Sequence, residues 1–167
     1  MPRGHVILSA LLLSVLALTA AGVAEFHFHL PPCILCLAQR VPFVLAILLS
    51  VAALTLPESQ MMMCRILAVL FLLNAGIGAF QVGEEQKWWG INDHGDSQVC
   101  TASNNTAQNI ADLYQSMSGT ALGDCAHPAF SWHGVTFAGL NVIYCLLLSA
   151  LTFYGAMRDP RQTQTKI

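Results

Sequence analysis

Charge is what this sequence has least of. Asp, Glu, Lys and Arg together make up 10% of its 167 residues, against about 25% in an ordinary soluble domain. So few charges cannot cover a water-facing surface, which argues against a soluble globular protein. The same shortage argues against a disordered chain, which combines low hydrophobicity with high charge. Lys and Arg number seven and the formal net charge is −2, so no basic face exists for a nucleic acid. Internal repeats are absent, and Met61-Met62-Met63 is too short to count as low complexity. What is abundant is apolar: hydrophobic types account for 55% of the chain.

These apolar residues gather in four runs. A helical span needs about 20 mostly apolar residues, and four are expected, at about 6–25, 38–57, 65–83 and 134–157. Only helices and closed barrels satisfy their backbone groups in lipid. A barrel would alternate in segments of about ten residues, whereas these runs are continuous in Leu, Ala and Val. The expected fold is an all-α membrane protein: one integral membrane domain, 1–167, built as a four-transmembrane-helix bundle. The small residues at Thr19–Gly22 resemble a signal-peptide cleavage region, but a signal core is about 7 to 15 residues long. The first run is longer and is read as a retained span.

Orientation follows from basic residues near the span ends. Arg3, Arg65, Arg158, Arg161 and Lys166 fall on one side, and Arg40 and Lys87 on the other. Both termini and the turn Glu58–Cys64 are therefore expected in the cytoplasm. Two loops face outward, a short one at about 26–37 and a long one at about 84–133. The long loop is polar and carries one helical pattern, Ile110, Leu113, Tyr114 and Met117, spaced i, i+3, i+4 and i+7. A short amphipathic helix on the membrane surface and a helix packed on its own loop both fit. Trp88 and Trp89 sit where an interfacial aromatic belt belongs.

The six cysteines separate by side. Cys33, Cys36, Cys100 and Cys125 face outward, where thiols can pair. Cys64 lies at the cytoplasmic start of the third span and Cys145 inside the fourth, and both read as small buried apolar residues. Cys33-Ile34-Leu35-Cys36 is a Cys-x-x-Cys motif, a spacing that is redox-active because the thiolate is stabilised and the small ring opens easily. Pro31 and Pro32 disfavour helix upstream, so the second span starts around this motif and exposes a cysteine to the positive helix N-terminus. Pro42 then requires either an early position in the helix or a kink. Arg40 stands four residues after Cys36 on the same face. It either favours the Cys36 thiolate and negative charge on a docked acceptor, or snorkels to the interface; spacing leaves both open. Cys100 and Cys125 enclose 24 residues. A disulfide there would be worth roughly 3 kcal/mol if structural, or it would be exchangeable in a mobile loop. Outward His27, His29, His94, His127 and His133 raise zinc as a competitor, but a second tight ligand pair is missing.

These residues resemble the DsbB family, the quinone-linked oxidases of periplasmic disulfide formation. The likeness rests on Pro32-Cys33-Ile34-Leu35-Cys36 with Arg40, on Gly123-Asp124-Cys125 before the fourth span, on Cys100, and on Gly83-Glu84-Glu85-Gln86-Lys87-Trp88-Trp89. It implies a bacterial inner-membrane protein with periplasmic redox loops. It implies that a DsbA-like thioredoxin-fold partner attacks a Cys100–Cys125 disulfide, that Cys125 exchanges with the Cys33–Cys36 pair, and that Cys36 beside Arg40 reduces a bound ubiquinone or menaquinone. Cys33, Cys36, Cys100 and Cys125 are thus the expected catalytic residues, and Cys36 and Arg40 the expected cofactor contacts, with no metal. Two departures stand out: Gln39 where the best-known members carry an acid, and Gln86 near where some place a His. The alternatives are a non-enzymatic four-helix protein with structural disulfides and a membrane metal-binding protein.

Overall fold

The computed structural model describes residues 3–86, 88, 112–113, 116–117, 131–132 and 135–157. Four helices dominate: α1 (Arg3–Phe26), α2 (Ile34–Thr55), α3 (Gln60–Glu85) and α4 (Phe137–Met157). Each is long and apolar enough to cross a membrane, so the chain is a multi-pass, all-α membrane protein as expected.

Local chemistry sets the helix ends. Pro31 and Pro32 hold the chain extended, and Cys33 follows with φ −82° and ψ 167°. Its sulfur accepts the Cys36 N–H at 3.3 Å, and its carbonyl accepts the Leu37 N–H at 3.1 Å. Cys33 is therefore the N-cap, in the place Ser or Asp usually fills. At the other end, Leu56 precedes Pro57 and leaves the helical region with φ −119° and ψ 81°, because the residue before a proline avoids it. Pro57–Ser59 forms a 3-10 turn leading directly into α3. Thr136 opens α4 by accepting the Gly139 N–H on Oγ1 at 3.3 Å. Just before it, Ser131–Trp132 pairs antiparallel with Val135–Thr136, with Ser131 opposite Thr136.

α3 packs along α4 and against α2, and α2 packs on α1. The main core joins Ala10, Phe43, Ala46, Leu67, Phe71, Ala75, Cys145 and Leu148. Small and polar residues share the interior: Ser14, Ser50, Asn74 and Thr152 are fully buried. Large ones face out, and Leu12, Leu48, Leu73 and Leu147 are each more than half exposed. This is the distribution expected where the surroundings are lipid and helices associate through close approach of small residues. Two glycines mark such approaches. A Cβ on Gly78 would stand 2.9 Å from Val142 Cγ2, and one on Gly155 would stand 2.8 Å from Val6 Cγ1.

The helix bounds differ from the expected spans in detail. α2 begins at Ile34 rather than 38, because the Cys33 cap starts it there. Pro42 thus lies inside α2, where it can offer no N–H to the Ala38 carbonyl. The neighbouring Gln39 carbonyl accepts from Asn74 Nδ2 at 3.3 Å. α4 begins at Phe137 rather than 134, after the short ladder. Of the expected loop helix, Leu113 and Met117 are helical and exposed, while Ile110 and Tyr114 lie outside the described residues. So do Cys100, Cys125, Lys87, Trp89, His94, His127, His133, Arg158, Arg161 and Lys166.

Candidate active site

The first turn of α2 brings Cys33 and Cys36 together as free thiols, with Sγ atoms 2.8 Å apart. Cys33 is 5% exposed and donates its S–H to Cys36. That donation and burial push the Cys33 thiol up, outweighing the helix-start N–H groups of Cys36 and Leu35, which act the other way. Cys36 is the acceptor of the pair, and it receives a second hydrogen bond. Gln81 on α3 donates Nε2 to Cys36 Sγ at 3.2 Å and to Cys33 Sγ at 3.5 Å.

Gln81 is itself held. Its Oε1 accepts from Gln39 Nε2 at 3.0 Å, and Gln39 Oε1 accepts from Asn141 Nδ2 at 2.9 Å. Gln81 Nε2 also lies 3.4 Å from Glu85 Oε1. Arg40 donates Nη1 to Glu25 Oε2 at 2.6 Å, with Glu25 3% exposed and Arg40 27% exposed. Arg40 is thus pinned by an ion pair rather than extended freely to the interface.

Cys36, Gln39 and Arg40 share a cavity of about 570 Å³ between α1, α2 and α4. This volume is ordinary for a small-molecule site. The walls are apolar, with Ala17, Ala21, Phe43, Phe137 and Tyr144 among them, while Glu25, Cys36, Gln39, Arg40 and Asn141 supply the polar groups. Cys36 lines the cavity and Cys33 does not. The arrangement puts one sulfur of a dithiol, a cation and amide groups on an otherwise apolar cleft.

Cys33 and Cys36 meet at the start of α2, and Cys36 and Arg40 line the same cavity, while Cys100 and Cys125 lie outside the described residues. Cys64 and Cys145 are fully buried, and Asn74 Nδ2 donates to the Cys145 sulfur at 3.3 Å. His27 and His29 are exposed, and among the described residues no group of three or more His, Cys, Asp or Glu is placed to hold a metal. Gln86, singled out in the sequence, is exposed at the end of α3. Gln81, over one helical turn earlier, is the side chain that meets the sulfurs. Glu25 is buried in the last turn of α1 and was legible only as the charge that ends an apolar run. Polar side chains within apolar helices were the available signal for Gln81 and Asn141, since such residues usually serve function.

Four spanning helices carrying a dithiol at the edge of an apolar cavity define an integral membrane thiol protein. A family model described as Disulfide bond formation protein DsbB matches residues 3–155. The chain belongs to the DsbB family and is, by that membership, a membrane disulfide oxidoreductase. A protein of Rickettsia prowazekii (strain Madrid E), named Uncharacterized protein RP370, is 26% identical over 148 residues, covering 85% of this chain and 83% of that protein. No solved structure matches.

Proposed function

We propose that this protein reoxidises a DsbA-like periplasmic thiol oxidase and delivers the electrons to a bound ubiquinone or menaquinone. It does so in the bacterial inner membrane, with both termini cytoplasmic and both redox loops periplasmic. The observation that carries this reading is the position of Cys36, on the cavity wall beside Arg40 and within one helical turn of its partner Cys33.

A thiolate of the reduced partner attacks Cys100 of a Cys100–Cys125 disulfide, and Cys125 leaves with the electron pair. The partner's second thiolate then releases Cys100, so the partner leaves as a disulfide and Cys100 and Cys125 remain as a dithiol. That dithiol reduces a Cys33–Cys36 disulfide by the same exchange. Cys33 and Cys36 are then both thiols. Rejoining Cys33 Sγ to Cys36 Sγ releases two electrons and two protons. A quinone, when bound, accepts both electrons and both protons. Its fit is supported by the apolar walls, which suit a ring and its hydrocarbon tail, and by the polar groups gathered near Cys36. Arg40 presents a fixed cation where negative charge accumulates, and Glu25 holds its guanidinium in place. Phe43, Phe137 and Tyr144 line the cleft with aromatic rings.

Oxidation of a reduced DsbA-like protein by the purified protein with added quinone tests the reading, followed by quinone absorbance. Stoichiometric quinone loss that vanishes in Cys36→Ser supports it. Absence of quinone loss with ubiquinone and menaquinone analogues alike overturns it.

A further inference from the structure

Three amide side chains from three helices form a directed chain that ends on the Cys36 sulfur. A glutamine or asparagine can present either its carbonyl or its NH2 to a neighbour, and the surrounding hydrogen bonds decide which. Asn141 on α4 donates to Gln39 Oε1 on α2, at 2.9 Å. Gln39 then has its NH2 free for Gln81 Oε1 on α3, at 3.0 Å. Gln81 in turn has only NH2 left to offer, and it points at Cys36 Sγ, 3.2 Å away. The two outer ends reinforce the direction. Asn141 Oδ1 lies 3.5 Å from the Cys145 thiol, which can donate to it. Glu85 Oε1, an acceptor, lies 3.4 Å from the same Gln81 NH2. Turning any one amide would set two carbonyl oxygens or two NH2 groups against each other in the bundle interior.

We propose that Gln39 and Asn141 lock Gln81 as a hydrogen-bond donor to Cys36, and that this donor sets the reactivity and the oxidising power of the Cys33–Cys36 pair. The proposal rests on reading that pair as redox-active. A thiolate gains strongly from an N–H donor, because hydrogen bonds to charged acceptors are the strong ones. A disulfide sulfur carries no charge and gains little. The Gln81 NH2 therefore favours the reduced pair, and a pair whose reduced form is stabilised is the stronger oxidant as a disulfide. The charged or titratable groups near this sulfur are Cys33 on the same turn, Glu85 on α3, and the Arg40–Glu25 pair, which lines the same cavity. Cys33 and the Arg40–Glu25 pair stand outside the amide chain, whereas Glu85 touches it through Gln81, so Asn141→Leu, which leaves Gln81 and Glu85 in place, separates the donor from that charge.

The test uses the full-length protein in detergent without quinone, with each cysteine followed by peptide mass. One readout is the rate at which a small maleimide alkylates Cys36 at neutral pH. The other is the glutathione buffer that half-reduces the Cys33–Cys36 disulfide, where two glutathione thiols supply the two electrons and become glutathione disulfide. Gln81→Leu is expected to slow alkylation roughly tenfold, the size of one lost hydrogen bond to a charged group. It is expected to move the half-reduction point to a more reducing buffer by a similar factor. Asn141→Leu is expected to move both the same way by roughly threefold, since it acts through two intervening amides. A folded Gln81→Leu protein that matches the wild type in both readouts overturns the proposal. Gln81→Met, which has a similar length, no donor and no charge, serves in its place if Gln81→Leu does not fold, with the same two outcomes. Failure of the wild-type pair to form a disulfide in oxidised glutathione would instead overturn the redox reading beneath it.

Discussion

Cys36 and Cys64 each lie near the start of a helix, at opposite ends of the bundle, and their surroundings differ. Cys36 is in the first turn of α2, accepts hydrogen bonds from Cys33 and Gln81, and lines a cavity beside a guanidinium. Cys64 is fully buried among Ile7, Ala53 and Ala156 near the start of α3. A helix N-terminus favours charge on a nearby thiol, yet both residues are near one. The difference lies in what the other helices deliver. At the Cys36 end, α1 brings a carboxylate and α3 and α4 bring amides. At the Cys64 end, α1, α2 and α4 bring methyl groups, an isoleucine side chain and, from Arg3, a guanidinium near enough to act on the thiol, but no side chain that hydrogen-bonds the sulfur among the described residues. A reactive thiol is made by its neighbours, and among the described residues only the Cys36 end combines hydrogen-bond donors to the sulfur with an open cavity.

The largest expected effect that this comparison predicts is at Cys36. Cys36→Ser should lower quinone reduction on the order of a thousandfold or more, as loss of a reacting nucleophile does, with the melting midpoint little changed. Next is the ion pair. Arg40→Ala should raise the apparent quinone KM about tenfold, the size of one lost charged contact. It should also lower the melting midpoint, because Glu25 is left buried and unpaired. Combining it with Glu25→Gln should recover the midpoint but not the KM, and recovery of both would assign Arg40 a purely structural role. The two glycines separate the ends by packing. Gly155→Ala, which meets Val6, should cost about 1–3 kcal/mol of stability and leave the KM alone. Gly78→Ala meets Val142 and comes within 3.6 Å of Gln39 Nε2 and Asn141 Nδ2, so it should cost a similar amount and disturb quinone kinetics as well. The smallest effect is expected at the sealed thiol. Cys64→Ala should leave turnover within about twofold, the cost of a small buried side chain falling on stability instead, while Cys145 is kept because its thiol meets Asn141. A large loss of turnover would erase the contrast between the two ends.

Much of this was legible in the sequence because it is written locally. Four apolar runs between charges specify four helices, since lipid leaves the backbone little alternative. Pro31-Pro32 before Cys33 places the start of α2 around the Cys-x-x-Cys motif, although the helix begins at Ile34, four residues before the expected span at 38. Cys36 and Arg40 share a face by spacing alone. What was not legible depends on long-range register. Gln81 meets Cys36 across 45 residues and Asn141 meets Gln39 across 102, and no local pattern marks which face of α3 or α4 turns inward. Glu25 read as the end of a span because its partner is fifteen residues away on the next helix. Gln86 drew notice through its place beside two acids, but α3 turns it outward.

The Glu25–Arg40 bridge also bears on how the chain enters a bilayer. An ionised side chain is costly for a single helix to carry into hydrocarbon, by about 2.5–3.5 kcal/mol at mid-depth on insertion scales. α1 and α2 each carry one such group at the facing ends of a short connection, and the two charges cancel at 2.6 Å. Inserted as a hairpin, the first two helices present no net charge to the lipid there. Because few residues separate the partners, closing that hairpin costs little loop entropy. The cation that serves the cavity thus arrives with its counter-ion already on the neighbouring helix, before α3 and α4 have emerged to complete the bundle.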